Sequence, residues 1–553
     1  MDRILKHWMN VHLIMKSSIN RRVNRDNRLA QREAFQRLLV VMLFLVALGL
    51  NCARSYPGDS SEMIPLAASE EPGWFLGLPD SLPSPTPADL PPTITPEVII
   101  KVPQSSDTPT LLYYSQAGDT LDLLAKRFGV SPDKIESDQP ITQVSLINPG
   151  QLLIIPNILT GTTPNQQLLP DSEVVFSPTA IDFDIEAFVN QAGGYLSTYR
   201  QWLAGTGWTS GSQVIARAAL ENSINPRLLL AILEYQSGWV YGQPKNLIQS
   251  EYPMGFIDLN QKDLYQQTMW AINQLSIGYY SWREGHTVEL PFPEGTALRL
   301  APNLNAGTVA IQYIFAQLYA NDSGHDSGRE RWSQALDANK GLSALYTRMF
   351  GDPWERAQVV EPFFAPGLTQ PALNLPFERG KLWSFTGGPH GAWEREGAWA
   401  ALDFAPGSLD FGCIPSDAWV VASAPGLVVR SGLGVIVLDL DGDGYEQTGW
   451  VLLYLHIIDA ERIPLGTIVD RDTKLGHPSC KGGFATGTHI HMARKYNGEW
   501  IAADGPLPFD LDGWTAHSNG QPYKGTLTRN GKTITANTTS PQTANILRDD
   551  GDL

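Results

Sequence analysis

The sequence predicts a multidomain chain made of a small α/β unit, an all-α middle domain and an antiparallel β-rich C-terminal domain. Three observations predict it. At roughly 100–200 residues per domain, 553 residues call for about three domains. The hydrophobic period changes twice: a short mixed unit over 111–157 gives way to i, i+3, i+4 spacing over 182–352, then to short alternating runs over 371–530. A Pro- and Ser-rich stretch, 56–110, sets these apart from a basic N-terminus and predicts an extended linker.

Composition narrows the function classes. With 42% apolar residues, 16 Trp, 18 Tyr and 19 Phe, the chain can build cores. The first 37 residues carry nine basic and three acidic side chains, so the body is strongly acidic within a total charge of −17. Such a body repels phosphate backbones, which disfavours nucleic acid as a partner. Residues 1–55 combine that basic run with the apolar stretch Leu38–Leu50, the order of an export signal. Thirteen apolar residues fall short of the roughly 20 that span a bilayer, and an uncleaved membrane anchor and lipidation at Cys52 stand as alternatives. Each alternative places the body outside the cytoplasmic membrane. In that compartment Cys413 and Cys480 either form one bridge or remain buried thiols.

Element by element, Leu112–Ser115 reads as a strand, Gly118-Asp119-Thr120 as a turn capping a helix, and Leu121, Leu124, Ala125 and Phe128 as its buried face. Asn148-Pro149-Gly150-Gln151 then turns into the strand Leu152–Ile155. The pair YYSQAGDTLDLLAKRFGVSPDKI and INPGQLLIIP resembles a LysM domain, which implies a βααβ fold and binding of N-acetylglucosamine-containing glycan such as peptidoglycan.

The middle region predicts helices over Ser212–Asn222, Pro226–Gln236, Leu264–Trp282 and Ala306–Tyr319. INPRLLLAILEYQSGW resembles the helix of lysozyme-like lytic transglycosylases, in which a Glu directly before Ser is the general acid. Gln236 stands in that place, and an amide cannot exchange the required proton. Glu234 lies about 200° away around the helix. A non-catalytic, lysozyme-like domain is expected.

In the β-rich region, Val420–Ala424, Leu427–Arg430, Val435–Leu440 and Trp450–His456 read as strands. Thr488-His489-Ile490-His491 puts two imidazoles on one side of a strand, with Ile490 facing the core. Together with His390, Asp403 and His456 they offer a His/His/Asp ligand set plus further imidazoles, the composition of a catalytic zinc site. LNLPFERGKLWSFTGGPHGAWEREGAWAALDF, VLLYLHI and GFATGTHIHMA, in that order, resemble the lysostaphin-type (LytM-like) zinc metallopeptidases. The thirteen-residue spacing of His390 and Asp403 sits closer to the beta-lytic branch. The resemblance implies that His390, Asp403 and His491 bind Zn2+ and that His489 and His456 are the catalytic imidazoles. It implies an exported peptidase acting on the peptide stems or cross-bridges of the bacterial wall. The rival reading is a silent peptidoglycan-binding or regulatory relative.

Two segments are expected to carry no site. Asp439-Leu440-Asp441-Gly442-Asp443-Gly444 has the start of a calcium loop, but Trp450 occupies the twelfth position, and a polar turn is expected. The Thr- and Asn-rich tail, 531–553, is expected to be disordered.

Overall fold

Thr120 and Gly129 bracket the first helix of a computed structural model that describes residues 109–142, 145–319, 325–407, 412–549 and 551. The N-terminal basic and apolar run and the Pro-rich linker up to residue 108, with everything expected of them, lie outside those residues; the last linker residue, Thr110, opens the first strand. Among the described residues no helix is long and apolar enough to cross a membrane.

In the first unit β1 (Thr110–Tyr114) pairs antiparallel with β3 (Leu152–Pro156), with Tyr113 opposite Leu153. Helix α1 (Leu121–Phe128) is capped by Thr120, whose hydroxyl oxygen accepts from the Leu123 N–H, and stops at Gly129 in the left-handed region at φ 68°. Leu124, Phe128, Leu153 and Ile155 are sealed beneath it. The second helix of the expected βααβ unit is a single 3-10 turn, Pro132–Lys134, followed by β2 (Glu136–Ser137) on the other edge of β3. Only three residues separate Pro132, which opens the turn, from Glu136, where β2 begins, too short a span for an α-helix to propagate.

The middle region is mainly helical: α2 (Ile185–Ala192), α3 (Gly211–Asn222), α4 (Pro226–Ser237), α5 (Asp263–Arg283), α6 (Ala306–Leu318), α7 (His325–Ala335) and α8 (Leu342–Phe350). Ser210 and Gln213 close a capping box on α3, and Asn225 caps α4 ahead of Pro226. The region is not all-α. Two hairpins interrupt it: β4 (Arg200–Leu203) with β5 (Gly207–Ser210), and β6 (Glu289–Pro291) with β7 (Ala297–Arg299). Their strands are three or four residues long, below the window in which periodicity is readable, and Gly205, Gly207 and Gly295 supply positive-φ turns between them.

The C-terminal region is built on an antiparallel sheet. Beside it β10 (Val420–Val421) pairs with β15 (Lys474–Gly476), and β18 (Asp510–Leu511), β19 (Trp514–Ser518), β20 (Gly525–Arg529) and β21 (Lys532–Thr535) form a second sheet. The strands of the main sheet are β8 (Leu382–His390), β9 (Ala401–Pro406), β11 (Gly426–Gly432), β12 (Val435–Asp439), β13 (Trp450–Leu455), β14 (Ile468–Val469), β16 (Ile490–Tyr496), with β17 (Glu499–Trp500) paired to it, and β22 (Asn545–Leu547). They run in the order β14-β11-β12-β13-β16-β9-β8-β22. One face, carrying Phe385, Leu402, Phe404, Ile436, Leu452, Tyr454, Ile490 and Met492, closes one core. Alternate residues on the opposite face, Ala401, Val435, Val437, Leu453, Leu455 and Ala493, join the core of the helical region instead. The helical region therefore covers the face to which Asp403 and His491 also belong.

Residues 531–553, expected to be disordered, contribute β22 to the sheet edge and a further strand, Lys532–Thr535. Edge pairing is made by main-chain groups and needs few apolar side chains; Ile546 alone of this strand is fully buried. Buried Arg548 then donates to the Phe377 carbonyl.

Arg283, at the end of α5, ties the three regions together. It donates to the Ala117 carbonyl of the first unit, pairs with Asp171 at 2.8 Å, and pairs with Glu499 of the C-terminal region at 2.8 Å. Burial opposes the charge, but Glu499, Tyr279 and Asp171 outweigh it and hold the guanidinium well above its ordinary pKa. Arg127 adds a second link, donating to the Trp282 carbonyl while pairing with Asp119.

Candidate metal centre

Strands β8, β9 and β16 lie side by side, so residues far apart in sequence become cross-strand neighbours. His491 sits opposite Asp403, and β8 passes Gly387 opposite Asp403 and His390 opposite Ala401. As the strand period predicts, Ile490 is wholly buried in the core behind while Asp403 and His491 face the other way. His390 Nε2 lies 3.0 Å from His491 Nδ1 and 3.3 Å from Asp403 Oδ1; His491 Nδ1 is 3.2 Å from the same oxygen. All three side chains are buried.

Backbone carbonyls set the tautomers. His390 Nδ1 donates to Gly388 O at 2.8 Å and His491 Nε2 to Ala392 O at 2.8 Å. In neutral rings this leaves the lone pairs of His390 Nε2 and His491 Nδ1 facing each other beside a carboxylate oxygen that has no hydrogen-bond partner despite its burial. Three acceptors aimed at one point need a positive centre. A proton answers one pair of them; a divalent cation answers all three, and two imidazoles with a carboxylate suit zinc.

The other two imidazoles line the same hollow. His489 Nε2 is 3.7 Å from Asp403 Oδ1, and the rings of His456 and His489 stand 4.5 Å apart. Their Nδ1 atoms donate to Lys481 O and Gly487 O, so both Nε2 atoms are free of backbone partners. His456, just past β13 (Trp450–Leu455), holds φ at 74°, an uncommon conformation for a β-carbon-bearing residue that re-aims its ring into the site. The disulfide Cys413–Cys480 braces the loop that leads into β16.

Charges follow from burial and neighbours. Burial pulls His491 below the ordinary imidazole value and, with His489 and His491 beside it, pulls His456 down to about 3. At His390 burial acts in the same sense but Asp403 outweighs it, and the ring stands above its ordinary value. Burial alone would raise Asp403; His390 and His489 hold it well below the usual carboxylate range.

All five residues singled out in the sequence meet here. Three contributors were missed. Gly387 is required because a Cβ there would fall 2.4 Å from Asp403 Oδ2, a signal present in the GGPH motif. Ala392 acts through its carbonyl, which no side-chain pattern encodes. Tyr523 stacks on His390 with ring centroids 4.1 Å apart and trades main-chain hydrogen bonds with Gly388 and Pro389. In the helical region Gln236 Nε2 donates to the Tyr319 hydroxyl, and Glu234 Oε2 accepts the Val240 and Tyr241 N–H groups. Glu234 thus holds the end of its own helix. Asp439 likewise accepts from Asp441, Gly442 and Gly444 N–H groups, as in a polar turn, and Asp439, Asp441 and Asp443 bring a carboxylate oxygen each within 4.8 Å of one another.

Comparison with known proteins supports these regions unequally. Residues 116–156 match the LysM domain model, and residues 167–362 match the model of the LasA N-terminal domain. That second match covers the region expected to resemble lysozyme. The chain is 24% identical over 298 residues to Protease LasA of Pseudomonas aeruginosa strain UCBPP-PA14, covering 51% of this chain and 65% of that protein. It is 27% identical over 172 residues to the beta-lytic metalloendopeptidase of Achromobacter lyticus, covering 29% and 43%. The chain thus spans less than two thirds of the length of either relative. Among solved structures it is similar to the M23 metalloprotease pseudoalterin from the deep sea, at 23% identity and TM-score 0.26, covering 30% of this chain and 96% of that one.

Proposed function

We propose, on the premise that this chain carries a LysM domain and resembles the lysostaphin-type zinc metallopeptidases of the beta-lytic branch, that it is an exported cell-wall endopeptidase. Its substrate class is the peptide stem or cross-bridge of peptidoglycan. The LysM unit would hold the N-acetylglucosamine-containing strand, and the helical region would act as a non-catalytic brace. The observation that carries the reading is the meeting of His390 Nε2, Asp403 Oδ1 and His491 Nδ1 within hydrogen-bonding distance of one another with no donor supplied by the fold.

His390, Asp403 and His491 would hold a zinc ion. When bound, zinc lowers the pKa of a coordinated water to about 7 and polarises a scissile carbonyl. The remaining chemistry falls to this chain's own groups. Gly388 and Ala392 carbonyls hold the ligand rings in the tautomers that present a lone pair. His456 and His489, with Nδ1 committed to the backbone, each present Nε2 to the reacting centre, one to handle the proton of the attacking water and the other to stabilise the tetrahedral oxyanion.

The test is release of new amino termini from purified peptidoglycan by the full chain. Hydrolysis that stops on chelation and returns on adding zinc is expected. A chain that takes up zinc and binds peptidoglycan but releases no termini would be the silent regulatory relative instead. Mass spectrometry of fragments from defined muropeptides identifies the bond that is cut.

A further inference from the structure

A cavity of about 240 Å³ opens where the three regions meet. Gly118 of the LysM unit, Tyr280, Glu284 and His286 at the end of α5, and Trp399, Trp500 and Asp504 of the C-terminal region line it. Pro389, the residue before the ligand His390, also lines it, so the cavity lies beside the metal centre.

Its charge is unbalanced. One cation, Arg283, lines it against three carboxylates, and Arg283 is consumed by Glu499 and Asp171. Glu284 and Asp504 remain. Glu284 is 15% exposed; its Oε1 is buried without a hydrogen-bond partner, and its Oε2 is 3.6 Å from His286 Nδ1. Asp504 accepts the Gly505 and Ser518 N–H groups, and His517 Nδ1 stands 4.0 Å from it. Glu284 is also the C-cap of the 21-residue helix α5, where the helix dipole opposes a negative charge. Burial, with Glu499 and Asp504 nearby, pushes it up to about 8. In the free protein a proton on Glu284 relieves this arrangement, and a ligand cation would take that proton's place. The indole of Trp399 suits the same kind of ligand, since aromatic faces attract ammonium groups, whereas Trp500 already carries Lys495 Nζ 5.1 Å over its ring.

We propose that this cavity binds the side-chain ammonium of a lysine-like residue, through Glu284 and Asp504 and against the Trp399 indole. That the ammonium belongs to a wall peptide, whose unlinked diamino acid carries one, rests on the peptidase reading; the binding itself does not.

The experiment titrates the full chain, treated with chelator so that nothing is hydrolysed, with N-acetyl-glycyl-L-lysinamide and with its uncharged match N-acetyl-glycyl-L-norleucinamide. Binding is read by calorimetry and by tryptophan fluorescence. The lysine peptide should bind at least about tenfold more tightly, as a charge-assisted contact predicts. Glu284→Gln and Asp504→Asn should each cut that preference by about threefold or more. If Glu284→Gln does not fold, the exposed Asp504→Asn carries the test. Equal binding of the two peptides, or a preference that survives the substitutions, overturns the proposal. Equal binding of the two peptides by the unsubstituted chain, with its chelator-sensitive wall hydrolysis intact, would overturn the cavity alone. A lysine preference without hydrolysis would overturn the peptidase reading and leave the cavity standing.

Discussion

Helix α4 and strand β16 each carry a residue pattern that resembles a wall-degrading enzyme, and the structure treats them in opposite ways. On α4 the two side chains at and beside the acid position hold the fold: Gln236 Nε2 donates to the Tyr319 hydroxyl, and Glu234 Oε2 accepts from the backbone of the following turn. On β16 and its neighbours, backbone carbonyls engage only one nitrogen of each imidazole, leaving the other aimed into a shared hollow beside the unsatisfied Asp403 Oδ1. A group committed to holding the fold has no capacity left for substrate. Pattern resemblance alone does not separate these cases; hydrogen-bond capacity does.

The strongest way to break this contrast is Asp403→Ala, which should abolish both bound zinc and hydrolysis, measured by metal analysis and by release of amino termini. Retained zinc at full stoichiometry would remove Asp403 from the ligand set. His489→Ala should keep the metal and lower the hydrolysis rate by about 10²–10⁴-fold, the usual contribution of a positioned proton-transfer group. A loss of zinc in that variant would turn His489 into a ligand. Gly387→Ala sharpens the contrast at the backbone, because the added carbon crowds Asp403 Oδ2. Zinc affinity, followed by competition with a chromogenic chelator, should fall by about 10–100-fold, as for other groups that orient a ligand. The smallest effect is expected from Gln236→Glu, which should leave glycan cleavage at background when reducing ends are counted. A rise in reducing ends would restore the helical region as a second enzyme.

Much of the candidate site was legible because the strand period is short and strict: His489-Ile490-His491 announces which side chains share a face. The long-range part, that β8, β9 and β16 are neighbours, came from family resemblance, since one strand's sequence does not name its partner. Gly387 was legible in principle and overlooked, for a glycine's role depends on what approaches it. Ala392 was not legible, because a carbonyl direction leaves no trace in side-chain chemistry. The C-terminal tail misled for a related reason: Asn545 and Leu547 enter the sheet through their main chain, and composition records only side chains. The hairpins within the helical region were lost beneath the stronger signals of the helices flanking them.

Arg283 has a consequence for how a gripped polymer would be worked on. A guanidinium shared by the Ala117 carbonyl, Asp171 and Glu499 fixes the first unit against the sheet. A strand seated on the first would reach the second at a fixed offset, so the spacing between grip and cut would be set as on a ruler rather than sampled as on a leash.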